Sequence, residues 1–138
     1  MKSFDTDVLT LFLHGDPSCI LKAALISADE RSVPIVAVEE ILRGRLVAIR
    51  QAQAGKSKLS VEETYQRLER SITDLRELTI LSHSPQAEAL VQAWRKQKIK
   101  VGISDLRIAA ICIVHSATLI SRNRRDFDQV PGLMVEYW

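Results

Sequence analysis

Two cysteines, three histidines and four prolines are all that this 138-residue chain has of the residues that most often staple, ligate or stiffen a small protein. Cys19 and Cys112 lie far apart in the sequence and show no ligand-like spacing. That excludes a disulfide framework and a cysteine-based zinc site, and both residues are expected as small buried apolar side chains. His14, His83 and His115 are equally scattered, with no metal-ligand spacing. No apolar run approaches the roughly 20 residues that span a bilayer. The opening residues, Met1 to Asp5, lack the apolar stretch of a signal peptide, so a cytoplasmic protein with no membrane association is expected. Charge of one sign is missing too. The net charge of +2 excludes a strongly basic tail or a general polyanion binder.

What is present is a core. Apolar residues make up 46% of the chain and charged residues 26%, the balance of a globular protein rather than a disordered one. With no internal repeat, low-complexity tract or long linker, residues 1–138 read as a single domain. The basic residues are clustered: Arg43, Arg45 and Arg50; Arg95 through Lys100; Arg122, Arg124 and Arg125. Each patch by itself reads either as solvated helix decoration or as a local phosphate contact.

The pattern of elements alternates. Met1–Phe4 reads as a short strand, followed by a helix capped at Thr6 or Asp7 with Val8, Leu9, Leu11, Phe12 and Leu13 along it. Gly15-Asp16-Pro17 breaks it, and a second helix is predicted from Ser18 to about Ala28. Pro34–Val38 is predicted as a buried strand, because it is β-branched and has no polar alternation. Glu39 and Glu40 then open a long helix to about Ala54, with Ile41, Leu42, Leu46 and Ile49 available for burial. Ser60 and Glu63 have the spacing of a capping box, and Tyr65, Leu68, Ile72 and Leu75 follow on one face. Leu78–Leu81 reads as a strand, and Ser84-Pro85 opens a helix carrying Ala87, Leu90, Val91 and Trp94. Ser104 is expected to cap a helix that runs to His115. Thr118–Ile120 and Leu133–Val135 complete the strands. This order calls for an α/β fold with a mainly parallel sheet covered on both faces. The strand order is not legible.

Acidic residues fall where strands end or helices begin: Asp5, Glu40, Asp105, and Asp126 close behind Asn123. In an open α/β sheet those points share one edge, where ligands bind. Carboxylates gathered there repel one another unless a hard divalent cation holds them. Each taken alone also reads as an acidic residue favoured by a helix N-terminus. Asp7 competes with Asp5 and suits helix capping. Asp126 suits either the site or a turn, and Asn123 either a site position or a turn former. Thr6 and Ser121 are hydroxyls beside these positions, placed to bond carboxylate or phosphate or to cap and end elements.

These residues resemble one family. Phe4-Asp5-Thr6-Asp7-Val8-Leu9 is similar to the opening of PIN-domain nucleases. Val38-Glu39-Glu40-Ile41-Leu42-Arg43-Gly44 resembles their second motif, a glutamate four residues before a glycine. Ser104-Asp105-Leu106-Arg107-Ile108-Ala109-Ala110 resembles their third, and Leu119 through Phe127 their fourth, with Gly132-Leu133 and Trp138 trailing. At this size the resemblance is to VapC-type toxins of toxin–antitoxin pairs. It implies a PIN-like three-layer α/β/α domain and an endoribonuclease dependent on Mg²⁺ or Mn²⁺. Asp5 and Asp105 would bind the metal, with Glu40, Asp126 and Asn123 completing the site. Many relatives carry an aspartate near the position of Asn123. Thr6, Ser121, Arg122, Arg124 and Arg125 would contact RNA. It further implies a cognate antitoxin and a homodimer. A PIN nuclease of RNA processing without an antitoxin, and a PIN-like binding module without catalysis, are the alternatives.

Overall fold

The computed structural model describes residues 1–138 as a five-stranded sheet in the order β3-β2-β1-β4-β5, every neighbouring pair parallel. The strands are β1 (Lys2–Phe4), β2 (Arg31–Pro34), β3 (Thr79–Leu81), β4 (Thr118–Ser121) and β5 (Val135–Tyr137). The helices are α1 (Thr6–Leu13), α2 (Pro17–Ala24), α3 (Ile35–Gln53), α4 (Val61–Leu75), α5 (Pro85–Lys96), α6 (Ile103–Val114) and the single turn α7 (Arg124–Phe127). A parallel sheet needs both faces covered, and a contiguous cluster of 26 buried residues, from Phe4 to Val130, supplies that cover. The predicted α/β architecture is the one observed. No helix is long and apolar enough to cross a membrane.

Several local expectations move. The apolar run after Pro34 is helix, not strand: β2 ends at Pro34, whose extended backbone (φ −66°, ψ 142°) makes it the N-cap of α3. Ala37, Val38 and Ile41 form the buried stripe while Ile35 is exposed, a helical rather than a strand alternation. α1 is capped by Asp5, whose side chain accepts from the Val8 amide at 2.9 Å, and not by Thr6 or Asp7. α2 starts one residue early, at Pro17 behind the Asp16 cap, and stops at Ala24. α6 begins after Gly102, so Ser104 sits inside the first turn rather than at the cap. β5 lies two residues later than expected, because Gly132 in the left-handed region (φ 79°) closes a turn before Val135.

The α4 stripe also shifts. Thr64, Ser71 and Leu75 are buried while Tyr65 and Ile72 are exposed, as is Leu46 on α3. Hydroxyls can be buried on α4 because they bond backward or to partners: Thr64 Oγ1 donates to the Val61 carbonyl at 2.7 Å. The capping box at the start of α4 is present in both directions, Glu63 amide to Ser60 Oγ at 3.1 Å and Ser60 amide to Glu63 Oε2 at 3.0 Å. Ser60→Ala removes one half of it, and we expect a loss of about 1 kcal/mol in urea unfolding with an unchanged m-value.

Candidate functional site

The strand order decides where the site lies. β1 and β4 are adjacent at the centre of the sheet, and their following connections leave in opposite directions, toward β2 and toward β5. This is the switch point of an open α/β sheet, where a crevice forms beyond the strand carboxyl ends. Asp5 follows β1 there and Ser121 ends β4 there, which brings residues 116 positions apart into direct contact. The Ser121 hydroxyl donates to Asp5 Oδ2, while Asp5 Oδ1 accepts from the Val8 amide. Ser121 Oγ in turn accepts from the Asn123 amide at 2.9 Å.

Asp5 is only 4% exposed. Burial raises its pKa, the Ser121 and Val8 hydrogen bonds pull it back, and Asp7 nearby adds a further upward push. Asp105, in the first turn of α6, is pushed up to about 6. Burial is the largest cause, and the charges of Glu40, Asp126, Asp5 and Asp7 add to it in that order. The carboxylates expected from the sequence therefore share one field, and Asp7 joins them. The sequence offers Asp7 as a competitor of Asp5 better suited to helix capping; it neither caps α1 nor replaces Asp5, and its charge adds to the field at Asp105.

Glu40 is differently held from expectation. Because α3 starts at Ile35, Glu40 lies in its second turn. A helix N-terminus favours acids only within the first turn, so that structural explanation of Glu40 fails. Its Oε1 accepts the Ser104 hydroxyl at 2.7 Å, a bond between α3 and α6. Ser104 was read as a cap, and nothing in the linear sequence connects it to a residue 64 positions away.

Asn123 caps α7. Its Oδ1 accepts from the Asp126 amide at 3.3 Å and its Nδ2 donates to Asp126 Oδ2 at 2.9 Å. The amide thus forms the turn and aims the neighbouring carboxylate. The basic residues of this segment diverge. Arg122 lines an open cleft with Asp7, Thr10 and Leu11 beside the acidic edge. Arg124 stacks on Tyr137, 4.1 Å from the ring centroid, and the Arg125 side chain is 92% exposed. Thr6 Oγ1 is buried with no hydrogen-bond partner, although the residue is next to Asp5.

No three side chains of His, Cys, Asp or Glu stand close enough together to grip one ion between them. The donor set still fits a hard cation. It is oxygen only, several negative charges act on Asp105, and Mg²⁺ is commonly held by one or two carboxylates with water filling the remaining positions.

A family model of the PIN domain matches residues 3–133. The chain belongs to the PIN-domain family. No curated protein matches this PIN domain in sequence. Among solved structures it is similar to VapBC2 from Rickettsia felis bound to a promoter DNA fragment, at 23% identity and a TM-score of 0.74, over 99% of this chain and 98% of that one. It is also similar to DNA-bound VapBC from Salmonella typhimurium, at 18% identity and TM-score 0.76, over 99% and 97% of the two chains. A toxin–antitoxin complex from Klebsiella pneumoniae matches at 21% identity and TM-score 0.72, over 97% and 96%. At these identities the likeness shows the shared fold.

The raised Asp105 makes a pH prediction with a definite sign. A carboxyl whose folded pKa lies above its unfolded value binds more protons in the folded state between the two, so stability falls as pH rises through that window. From about pH 4 to about 6 the metal-free PIN domain should lose stability with rising pH on account of Asp105. Glu88, lowered from 4.5 to about 2 by Arg107 and His83, acts with the opposite sign and overlaps this window only at its lower end, so its contribution is largely complete by about pH 5. Urea unfolding in EDTA at pH 5 and pH 7.5 should show the difference, and Asp105→Asn should flatten it.

Proposed function

We propose that this PIN domain is a Mg²⁺- or Mn²⁺-dependent endoribonuclease and the toxin of a VapBC-type toxin–antitoxin pair. The observation that carries the reading is the coupling of Asp105 to Glu40, Asp126, Asp5 and Asp7 at the β1/β4 switch point. A structural reading leaves most of this mutual repulsion uncompensated, since the one ion pair, Arg125 to Asp126 at 3.9 Å, is solvent-exposed, whereas a cation-binding reading uses it. Asp5 and Asp105 would hold the ion. When bound, it would polarise the scissile phosphodiester and lower the pKa of an attacking water.

The remaining roles belong to the chain. Ser121 orients Asp5 by donating to Oδ2, and Ser104 fixes the Glu40 rotamer by donating to Oε1. Asn123 holds Asp126 facing the same field. Thr6 would contact RNA only once its buried, unpartnered hydroxyl turns outward, and Arg122 beside Asp7 offers a guanidinium to the backbone. Arg124 and Arg125 would contact RNA further out. No histidine reaches this edge in any hydrogen bond: His83 pairs with Glu88 and His115 with the Ser82 carbonyl.

A partner antitoxin is supported by the fold's likeness to chains in VapBC and toxin–antitoxin complexes. It would be a small protein that covers the acidic edge. A second copy of the chain is the other proposed partner. Leu78, Leu81 and Trp94 are in the core and offer nothing to such a partner. Among the exposed apolar side chains, Ile35 and Leu46 of α3 stand beside Val38 and Leu42 around an open, apolar groove. Light scattering at tens of micromolar is expected to give a dimer, and Leu46→Glu a monomer; a wild-type monomer would remove this part.

The decisive test is RNA cleavage by pure protein. Activity is expected with Mg²⁺ or Mn²⁺ and none in excess EDTA. Asp5→Asn should keep the melting temperature, because the asparagine Oδ1 caps about as well and its Nδ2, standing where Oδ2 was, can donate to the Ser121 oxygen in a reversed bond. It should nevertheless lose cleavage at least about a hundredfold, since a charged ligand is gone. Wild-type rates from Asp5→Asn, or undiminished cleavage in chelator, would sink the reading.

A further inference from the structure

Away from the acidic edge, α3 and α4 pack as neighbours and leave a polar cleft of about 340 Å³ against the end of α1. Arg45, Arg67 and Arg70 point into it, with His14, Ser71 and Asp74 beside them. Three guanidiniums gather here against a single carboxylate. Asp74 lies 3.8 Å from Arg70, whose side chain is 81% exposed, so this is a loose solvated pair. Arg45 and Arg67 have no carboxylate within ion-pair distance. Arg45 is nevertheless fixed: its Nε donates to Oγ of the buried Ser71 at 2.9 Å, which leaves its terminal nitrogens free for a ligand. Burial and the charge of Arg67 both lower the Arg45 pKa, so the two cations sit within each other's field. The carboxyl end of α1 also reaches this cleft at His14, with a partial charge of about −0.5. Even with Asp74 added, the three guanidiniums outweigh it.

Repelling cations held together with less counter-charge than they carry are an anion site in the same sense that repelling carboxylates are a cation site. The kind of anion follows from the lining. Leu13 is the only apolar wall, and no aromatic is present to anchor a peptide side chain. A smaller groove continues from Arg67 and Arg70 along α4 past Gln66 and Glu63, and it too is polar. Glu63 there is already engaged by the Ser60 amide. Arginine forks match phosphate oxygens two at a time. The position is also suitable. α3 carries Glu40 at the acidic edge, facing Ser104, and Arg45 five residues later, about 8 Å further along the axis and about 140° around it, facing Ser71, so that a strand reaching both passes round α3.

We propose that the cleft of Arg45, Arg67 and Arg70 binds backbone phosphates of a single-stranded RNA, one or more nucleotides away from the bond at the acidic edge. This rests on the nuclease reading for the identity of the polymer, and on the cleft alone for the phosphate. It assigns this surface a substrate-holding role separate from Arg122, Arg124 and Arg125.

The test measures binding of a labelled ten-nucleotide oligouridylate by the full-length protein at several salt concentrations, in an Asp5→Asn background to prevent cleavage. Arg45→Gln with Arg67→Gln should weaken binding about tenfold or more and reduce the slope of log affinity against log salt by about 1.4, since two fewer phosphates are neutralised. Unchanged affinity and slope in a folded double variant would overturn the proposal. So would a ten-residue polyglutamate that binds the wild-type cleft while RNA binding ignores both arginines, because the occupant would then be an acidic protein. Should the double variant fail to fold, Arg67→Gln alone carries the test, its exposed head making no bond in the fold; half the slope change is expected. A parent protein without the Asp5 change that never cuts RNA, combined with loss of binding in the arginine variants, would overturn the nuclease reading and leave the cleft standing.

Discussion

Asp5 is a carboxylate taken almost wholly out of water at the end of the central strand, and three structural tasks meet on it. Its amide donates to the Ile120 carbonyl at 3.0 Å, prolonging the β1–β4 pairing by one residue. Its carbonyl accepts from the Leu9 amide at 2.8 Å, the first intrahelical bond of α1. Its side chain caps the same helix and receives the Ser121 hydroxyl. A buried charge without such bonds would cost several kcal/mol. The backbone therefore positions the carboxylate and the carboxylate finishes the backbone. Registration of β1 against β4 is what places Ser121 opposite it.

The same logic extends outward through other local donors. Ser104 holds Glu40 across the α3–α6 contact, and Asn123 holds Asp126 within α7. Hydroxyls and amides satisfy the oxygens without cancelling their charge. A lysine or arginine in those places would stabilise the isolated fold more and leave less attraction for a cation. Asp5 and Glu40 are thus held by neutral donors, and the one ion pair at this edge, Arg125 to Asp126 at 3.9 Å, is made by a side chain that is 92% exposed, while strongly charge-compensated acids occur elsewhere. Glu88, for example, receives Arg107 in a two-pronged bond at 3.1 Å and 3.1 Å, and its pKa falls instead of rising. Acids of one chain are driven in opposite directions by the sign of their neighbours.

A second imbalance, of the opposite sign, lies between α3, α4 and the end of α1. Arg45 shows how little the linear sequence says about such a place. In the sequence it is one of a basic group with Arg43 and Arg50. In the fold Arg43 turns to Glu39 on the helix surface, whereas Arg45 turns inward to Ser71. One residue type at near-identical spacing meets a carboxylate in one case and another arginine in the other.

Periodicity and composition determined the class of fold, since alternating apolar strands and amphipathic helices leave a parallel sheet as the economical way to bury both faces. Strong local signals survived intact, such as the capping box at Ser60 and the proline-opened α5. The boundary at Pro34 did not, because a buried parallel strand and the buried first turn of a helix are both uninterrupted apolar runs. The side-chain bonds of Ser104 to Glu40 and of Ser121 to Asp5 were beyond reach for a different reason. They join positions 64 and 116 residues apart, and only the strand order β3-β2-β1-β4-β5 brings them together. The sequence by itself determined which acids stand at element ends. The tertiary structure decided which of them share a field, because electrostatic coupling falls with distance through space and takes no account of separation along the chain.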